Sequence, residues 1–274
     1  METIKDRIVL VTGATDGIGK QTAIDLAEIG AKVIIHGRDE EKAGETLAEI
    51  RDKSGNNSLE SCVADFASLE QVREMAGDIT SRFDRLDILI NNAGVFMKNR
   101  KESHDGFEMT FAVNHLAHFL LTGMLLDTIK KPDYARIIHV ASQAHASRLD
   151  FDNLQGEKFY DGYDAYARSK LCNILFSNKL ARELAGTDVT SNALHPGVIR
   201  TKLLKAGFGY GGADWEQGSK TSVYLAASPD VEEITGRYFA HERTSTPAGI
   251  ASDISVQDKL WKMSEEMTGF TFGF

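Results

Sequence analysis

Tyr166 and Lys170 stand four residues apart in Tyr166-Ala167-Arg168-Ser169-Lys170. On a helix that spacing places two side chains on one face, so the ammonium can lie beside the phenol and act on its proton. A free phenol ionises near pH ~10 and is a poor base at neutrality. A fixed cation favours the phenolate, and each unit of lowering corresponds to about 1.4 kcal/mol. Lys170 together with a cationic cofactor ring is therefore expected to lower the pKa of Tyr166 and make it an acid/base for a hydroxyl proton. Ser142, after the apolar run Arg136–Ala141, offers a second hydroxyl. A tyrosine and a lysine at this spacing are common in helix-rich proteins, so the context must decide.

That context begins at the N-terminus. Thr12-Gly13-Ala14-Thr15-Asp16-Gly17-Ile18-Gly19 follows the apolar run Ile8-Val9-Leu10-Val11, in the spacing G-x-x-x-G-x-G. Glycines at such a turn let the backbone approach a pyrophosphate, and the next helix presents unpaired N–H groups to it. The second strand ends His36-Gly37-Arg38. An acid at that end would pair with an adenosine 2′-hydroxyl and select NAD. Here glycine stands at the acid position, and the arginine fork beside it suits a 2′-phosphate. Arg38 points to NADP; Asp16 and Asp39 weigh the other way and leave NAD as the alternative.

The elements that must position these groups alternate. Apolar runs predict strands at Ile8–Val11, Lys32–His36, Leu59–Ala64, Leu86–Ile90, Arg136–Ala141, Val189–Leu194 and Arg237–Ala240. Amphipathic stretches predict helices at Gly17–Ile29, Glu40–Lys53, Leu69–Phe83, His104–Lys130, Tyr163–Leu184, Trp215–Ala227 and near Val256–Met267. This alternation is the pattern of βαβ units and a parallel sheet. Residues 143–164 and 197–214 read as loops, and no repeat or interdomain linker divides residues 1–274.

Net charge is −9, which argues against nucleic acid or an anionic membrane as the main partner, since both need a basic surface. The two cysteines, Cys62 and Cys172, are too few for a disulfide framework and read as core residues of a reducing compartment. Met1–Arg7 is charged and lacks signal-peptide character, so a cytoplasmic location is expected. His115, His118, His139, His145 and His195 lack metal-ligand spacing and read as core or pocket residues. Leu203, Leu204, Phe208, Tyr210 and Trp215, with Phe159, Tyr160 and Tyr163, favour an apolar carbonyl substrate.

With these residues placed, the sequence resembles the short-chain dehydrogenase/reductase family over nearly its whole length, most like the retinol dehydrogenase and WW-domain oxidoreductase-like branch. Thr12–Gly19 is similar to the family's cofactor turn, Asn91-Asn92-Ala93-Gly94 to its motif after the fourth strand, and Pro196-Gly197 with Thr201 to its nicotinamide-side loop. Ala112-Val113-Asn114-His115-Leu116, Asp150-Phe151-Asp152-Asn153-Leu154 and His195-Pro196-Gly197-Val198 carry the branch.

The resemblance implies a single-domain Rossmann fold, with a doubly wound, mostly parallel, seven-stranded sheet and helices on both faces. It implies a catalytic tetrad of Asn114, Ser142, Tyr166 and Lys170. Cofactor contacts would come from Gly13, Thr15, Asp16, Gly17, Ile18, Gly19, Arg38, Asp65, Phe66, Asn92, Ala93, Gly94, Tyr166, Lys170, Pro196, Gly197, Val198 and Thr201, with Asp65 at the adenine. In the implied chemistry a hydride passes between NADP, or NAD, and a carbonyl or alcohol carbon. Tyr166 moves the proton, Lys170 lowers its pKa and holds the nicotinamide ribose, Ser142 binds the substrate oxygen, and Asn114 holds a water linking Lys170 to solvent. The partner is a small molecule, with no metal and no membrane, and relatives form homodimers or homotetramers through the two long helices. Two other classes compete. Nucleotide-sugar epimerases share the Tyr-x-x-x-Lys pair but use G-x-x-G-x-x-G and longer chains. A non-catalytic nucleotide-binding regulator would need no matched acid/base pair.

Overall fold

Short runs of β-branched residues and leucine form the parallel strands β1 (Ile8–Val11), β2 (Lys32–Gly37), β3 (Leu59–Val63), β4 (Ile88–Asn91), β5 (Ala135–Val140), β6 (Val189–His195) and β7 (Tyr238–Ala240). The computed structural model describes residues 4–209 and 211–274; Tyr210, expected near the substrate, lies outside the described residues. The strands pair in the order β3-β2-β1-β4-β5-β6-β7. An eighth, β8 (Arg243–Ser245), joins antiparallel to β7 at the outer edge. The seven expected strands are thus extended by one. β8 is exposed and has no apolar residue, so it gives no hydropathy signal. Its turn, His241-Glu242, has both residues at positive φ (52° and 59°), a geometry usually announced by Asn-Gly or Asp-Gly.

Alternate strand residues face opposite cores. Val9, Val11, Val33 and Ile35 pack on the side of α1 (Gly17–Glu28), α2 (Glu40–Ser54) and α8 (Trp215–Ala227). Leu10, Ile34 and Leu89 pack on the side of α3 (Leu69–Arg82), α5 (Ala117–Ile129), α6 (Gly162–Glu183) and α9 (Ile254–Thr268). Burying one such side chain is worth about 1.5–3 kcal/mol, so both faces of the sheet are committed to helices.

Two expectations are corrected. The long helix begins at α4 (Met109–Phe111), not at His104. Gly106, at φ +81°, turns the chain first, and the Glu108 carboxylate then accepts the Thr110 and Phe111 N–H groups. α4 continues into α5 through a π turn at Ala112–Leu116, where Ala117 N–H bonds the Ala112 carbonyl. Met109–Ile129 is long and apolar enough to cross a membrane, and most of it is buried within the fold. Second, the loop at 197–214 contains α7 (Lys202–Phe208), whose first turn is capped by Thr201. The sheet order reverses between β1 and β4, where a crevice opens at the carboxyl ends of the strands.

Candidate active site

A cavity of about 820 Å³ fills that crevice. Its floor is the turn from β1 to α1. Gly13 is at φ +63°, and a Cβ there would stand 2.7 Å from the Ala93 Cα, so the close approach of the two loops requires glycine. A Cβ at Gly19 would collide with the Asn92 amide and the Gly13 carbonyl. The Asn92 side chain ties the loops by donating to the Thr12 and Gly13 carbonyls. Asp16 caps α1 by accepting from Gly17 N–H and pairs with Lys202 at 2.7 Å. Burial would raise its carboxyl, but Lys202 holds it below the usual range.

The structure brings to this one cavity Gly13, Thr15, Asp16, Gly17, Ile18, Gly19, Arg38, Asp65, Phe66, Asn92, Ala93, Gly94, Pro196, Gly197, Val198 and Thr201, together with Ser142, Tyr166 and Lys170. Asn114 is buried behind the wall and does not line it. At the far end a Cβ on Gly37 would collide with the Thr15 methyl, so no acidic side chain fits where NAD selection needs one. Arg38 lines the cavity there and has no hydrogen-bond or ion-pair partner among the described residues.

Tyr166 and Lys170 are both buried on α6. Of the two contributors expected to lower the phenol, Lys170 and the cofactor ring, the lysine brings no lowering in this geometry. Burial pushes Tyr166 up to about 12, partly offset by a hydrogen bond with Ser142. Lys170 Nζ lies over the phenol ring, 5.6 Å from its centroid, and donates to the Val140 carbonyl at 2.8 Å. Burial brings this lysine down to about 8. A raised phenol is a proton donor at neutral pH, and a weakened ammonium is one that can give up its proton.

Asn114 sits inside the π turn. Its side chain clamps the loop after β4, accepting from Val95 N–H at 2.8 Å and donating to the Val95 carbonyl at 3.1 Å and to Ser169 Oγ at 3.0 Å. Ser169 in turn donates to the Tyr166 carbonyl at 2.7 Å. Over the phenol, Phe208 packs edge-on at 5.6 Å, and Phe96 lies 5.9 Å away. Tyr163 closes on Phe208 at 5.5 Å. The approach to Tyr166 is therefore walled by aromatic rings. The groups can hold a dinucleotide along the strand ends and present one buried phenol to a second molecule.

Residues 7–208 match the short chain dehydrogenase family. The chain belongs to that family. Human retinol dehydrogenase 14 is 41% identical, over 96% of this chain and 86% of the relative. Human polyprenol dehydrogenase is 38% identical over the same shares. Among solved structures, a protein from Mycobacterium paratuberculosis superposes with a TM-score of 0.83 at 30% identity, over 98% of this chain and 96% of that one. A short chain dehydrogenase from Escherichia coli CFT073 complexed with NADPH gives 0.72 at 27%, over 86% and 97%. This short-chain dehydrogenase therefore falls in the retinol dehydrogenase branch, as a nicotinamide-dependent oxidoreductase acting on alcohol and carbonyl groups.

Four further side chains brace the short-chain dehydrogenase site through contacts that sequence spacing does not show. His36 accepts from Gly13 N–H at 3.1 Å and bonds the Ala64 carbonyl, bracing the cofactor turn from β2. His145 Nδ1 donates to the Ser142 carbonyl at 2.6 Å, and Gln143 N–H donates to His195 Nδ1 at 3.1 Å, so two histidines hold the Ser142 loop. Phe96 packs against Gly207, where any Cβ would strike its ring, and reaches the Tyr166 phenol from there.

Proposed function

We propose that this short-chain dehydrogenase uses NADP to oxidise or reduce a small apolar alcohol/carbonyl pair, with Tyr166 as the acid/base. The observation that carries this reading is the convergence of Arg38, the glycine turn, Ser142, Tyr166 and Lys170 on one cavity. When bound, the nucleotide supplies or accepts the hydride. The residues present fit it. The first-turn N–H groups of α1 suit a pyrophosphate, and Arg38, without a side-chain partner among the described residues and beside a glycine that excludes acid, suits a 2′-phosphate.

Ser142 fixes the substrate oxygen beside Tyr166, whose hydroxyl gives its proton to the oxygen in reduction and recovers one in oxidation. Lys170 and the Pro196–Val198 loop would hold the nicotinamide end. Asn114 supports this arrangement from behind, through Val95 and Ser169. The rings of Phe96, Tyr163 and Phe208 cluster beside the phenol and favour an apolar partner, and the relatives named for retinol and polyprenol support an alcohol.

The test is a screen of NADPH and NADH with aldehydes, ketones, steroids and retinoids, reading loss of the reduced-nicotinamide absorbance. Turnover with NADPH and an apolar carbonyl is expected. Turnover with NADH alone would overturn the cofactor reading, and nucleotide binding without any turnover would overturn the catalytic one. We propose a cytoplasmic location as well, a reading its acidic balance supports. Recovery of the native protein in the membrane pellet after cell lysis would contradict that placement.

A further inference from the structure

Behind the cavity wall, His118 stands between the two loops that frame it. The side chain is buried, and its ring meets the edge of Phe66 at 5.6 Å between centroids. Nδ1 is 3.0 Å from the Asn114 carbonyl inside the π turn, and Nε2 is 3.2 Å from the Thr12 hydroxyl of the cofactor turn. A carbonyl only accepts, so Nδ1 carries the proton and Nε2 must receive one.

The surroundings of Thr12 agree with that assignment. Its Oγ already accepts from Asn92 N–H at 2.8 Å and from Ala93 N–H at 3.0 Å. Its own proton has two acceptors in reach, His118 Nε2 and the Ile90 carbonyl. The Ile90 carbonyl already takes the Thr12 N–H at 3.0 Å and shares the Asn92 N–H with the Thr12 hydroxyl oxygen. Pointing the Thr12 proton at Nε2 is the arrangement that leaves neither ring nitrogen of His118 unsatisfied.

We propose that His118 is a positioning residue, whose neutral imidazole locks the Asn114 carbonyl to the Thr12 hydroxyl so that the cofactor turn and the tyrosine helix hold one spacing. The line continues on both sides. Thr12 fixes Asn92 and Ala93, which line the cavity, while Asn114 reaches Ser169 and through it the Tyr166 carbonyl. His118 touches neither nucleotide nor substrate space, so its effect on hydride transfer acts through the distance it keeps. The kinetic part of this inference rests on the function proposed above, and the structural part does not.

The experiment has two arms. In the first, the full chain labelled with ¹⁵N-histidine is observed by NMR at neutral pH, with the His118 signals assigned by their absence in His118→Phe, or by through-bond correlation if that variant does not fold. A neutral ring protonated on Nδ1 is expected. A ring protonated on Nε2, or on both nitrogens, would overturn the linkage whether or not a substrate is known.

In the second arm, kcat and KM are measured for His118→Phe, for the near-isosteric Thr12→Val and for the double variant. Each single variant is expected to lower kcat about tenfold with KM for NADPH and carbonyl little changed, and the double variant is expected to be no slower than either single. Multiplicative losses, or an unchanged kcat in His118→Phe, would overturn the proposal. Absence of turnover in the unsubstituted chain would instead defeat the functional reading, while the tautomer still decides the linkage.

Discussion

Lys170 Nζ lies over the ring of Tyr166, 5.6 Å from its centroid, and is hydrogen-bonded to the Val140 carbonyl. In this arrangement burial decides both protonation states: the phenol is pushed up to about 12 and the ammonium down to about 8. The protonated phenol is the form that serves carbonyl reduction.

A pH profile follows from these two directions. From the acid side up to about 8, Tyr166 and Lys170 both hold their protons; above about 8, Lys170 loses its own. For reduction, kcat/KM with respect to the carbonyl is therefore expected to be level through neutral pH and to decline above that value. A kcat/KM for reduction that rises through the same range would contradict the assigned roles.

The fold was largely legible because its determinants are local. β-branched runs and amphipathic helices mark the parallel strands and their crossovers, and the Thr12–Gly19 turn sits where those elements demand. Legibility stopped where tertiary contacts decide. β8 has three exposed residues and exists through pairing with β7, and α7 depends on the Thr201 cap. The tetrad residues could be named from their motifs, but the electrostatic balance at Tyr166 could not. Spacing shows that Lys170 shares a face with the phenol; it does not show that Val140 takes a hydrogen bond from the ammonium or that both groups are desolvated.

Cofactor choice turns on one side chain. Arg38→Ala leaves the glycine turn intact and removes the cation at the strand end, where Gly37 cannot be replaced by an acid without displacing Thr15. KM for NADPH is expected to rise by about tenfold or more, the loss of a charge-assisted pair, while KM for NADH changes little. Equal effects on the two cofactors would show that Arg38 does not read the 2′-phosphate.

Five buried neutral histidines make the fold acid-sensitive. Burial lowers His36 and His195 to about 4, His115 and His139 to about 3, and His118 well below its ordinary value. In the unfolded chain they take protons near pH ~6.5, so the unfolded state binds more protons between there and about 4. Their contribution is fully present above the unfolded pKa and is lost as pH falls, at up to about 1.4 kcal/mol per unit for each. Urea midpoints are expected to drop steeply once the pH passes below the ordinary histidine range. A flat midpoint across that interval would mean these rings are solvated.

Phe208 tests the apolar wall. It packs on Tyr166 at 5.6 Å and on Phe96 at 6.0 Å, and Phe208→Ala removes that surface without touching the phenol oxygen. Phe208 is exposed, so only its contact with substrate is lost, and KM for a long apolar carbonyl is expected to rise several-fold, by about 1 kcal/mol, with kcat less affected. A fall in KM would show that Phe208 obstructs the substrate instead of binding it.

The most direct measurement is the turnover of Tyr166→Phe with saturating NADPH and the best carbonyl substrate. Phenylalanine keeps the ring contacts with Phe96 and Phe208 and removes only the hydroxyl. The expected result is a loss of turnover of about a hundredfold or more, the range of a positioned acid, with NADPH binding little changed. Turnover retained near the level of the unsubstituted chain would contradict the assignment of Tyr166 as the group that moves the proton.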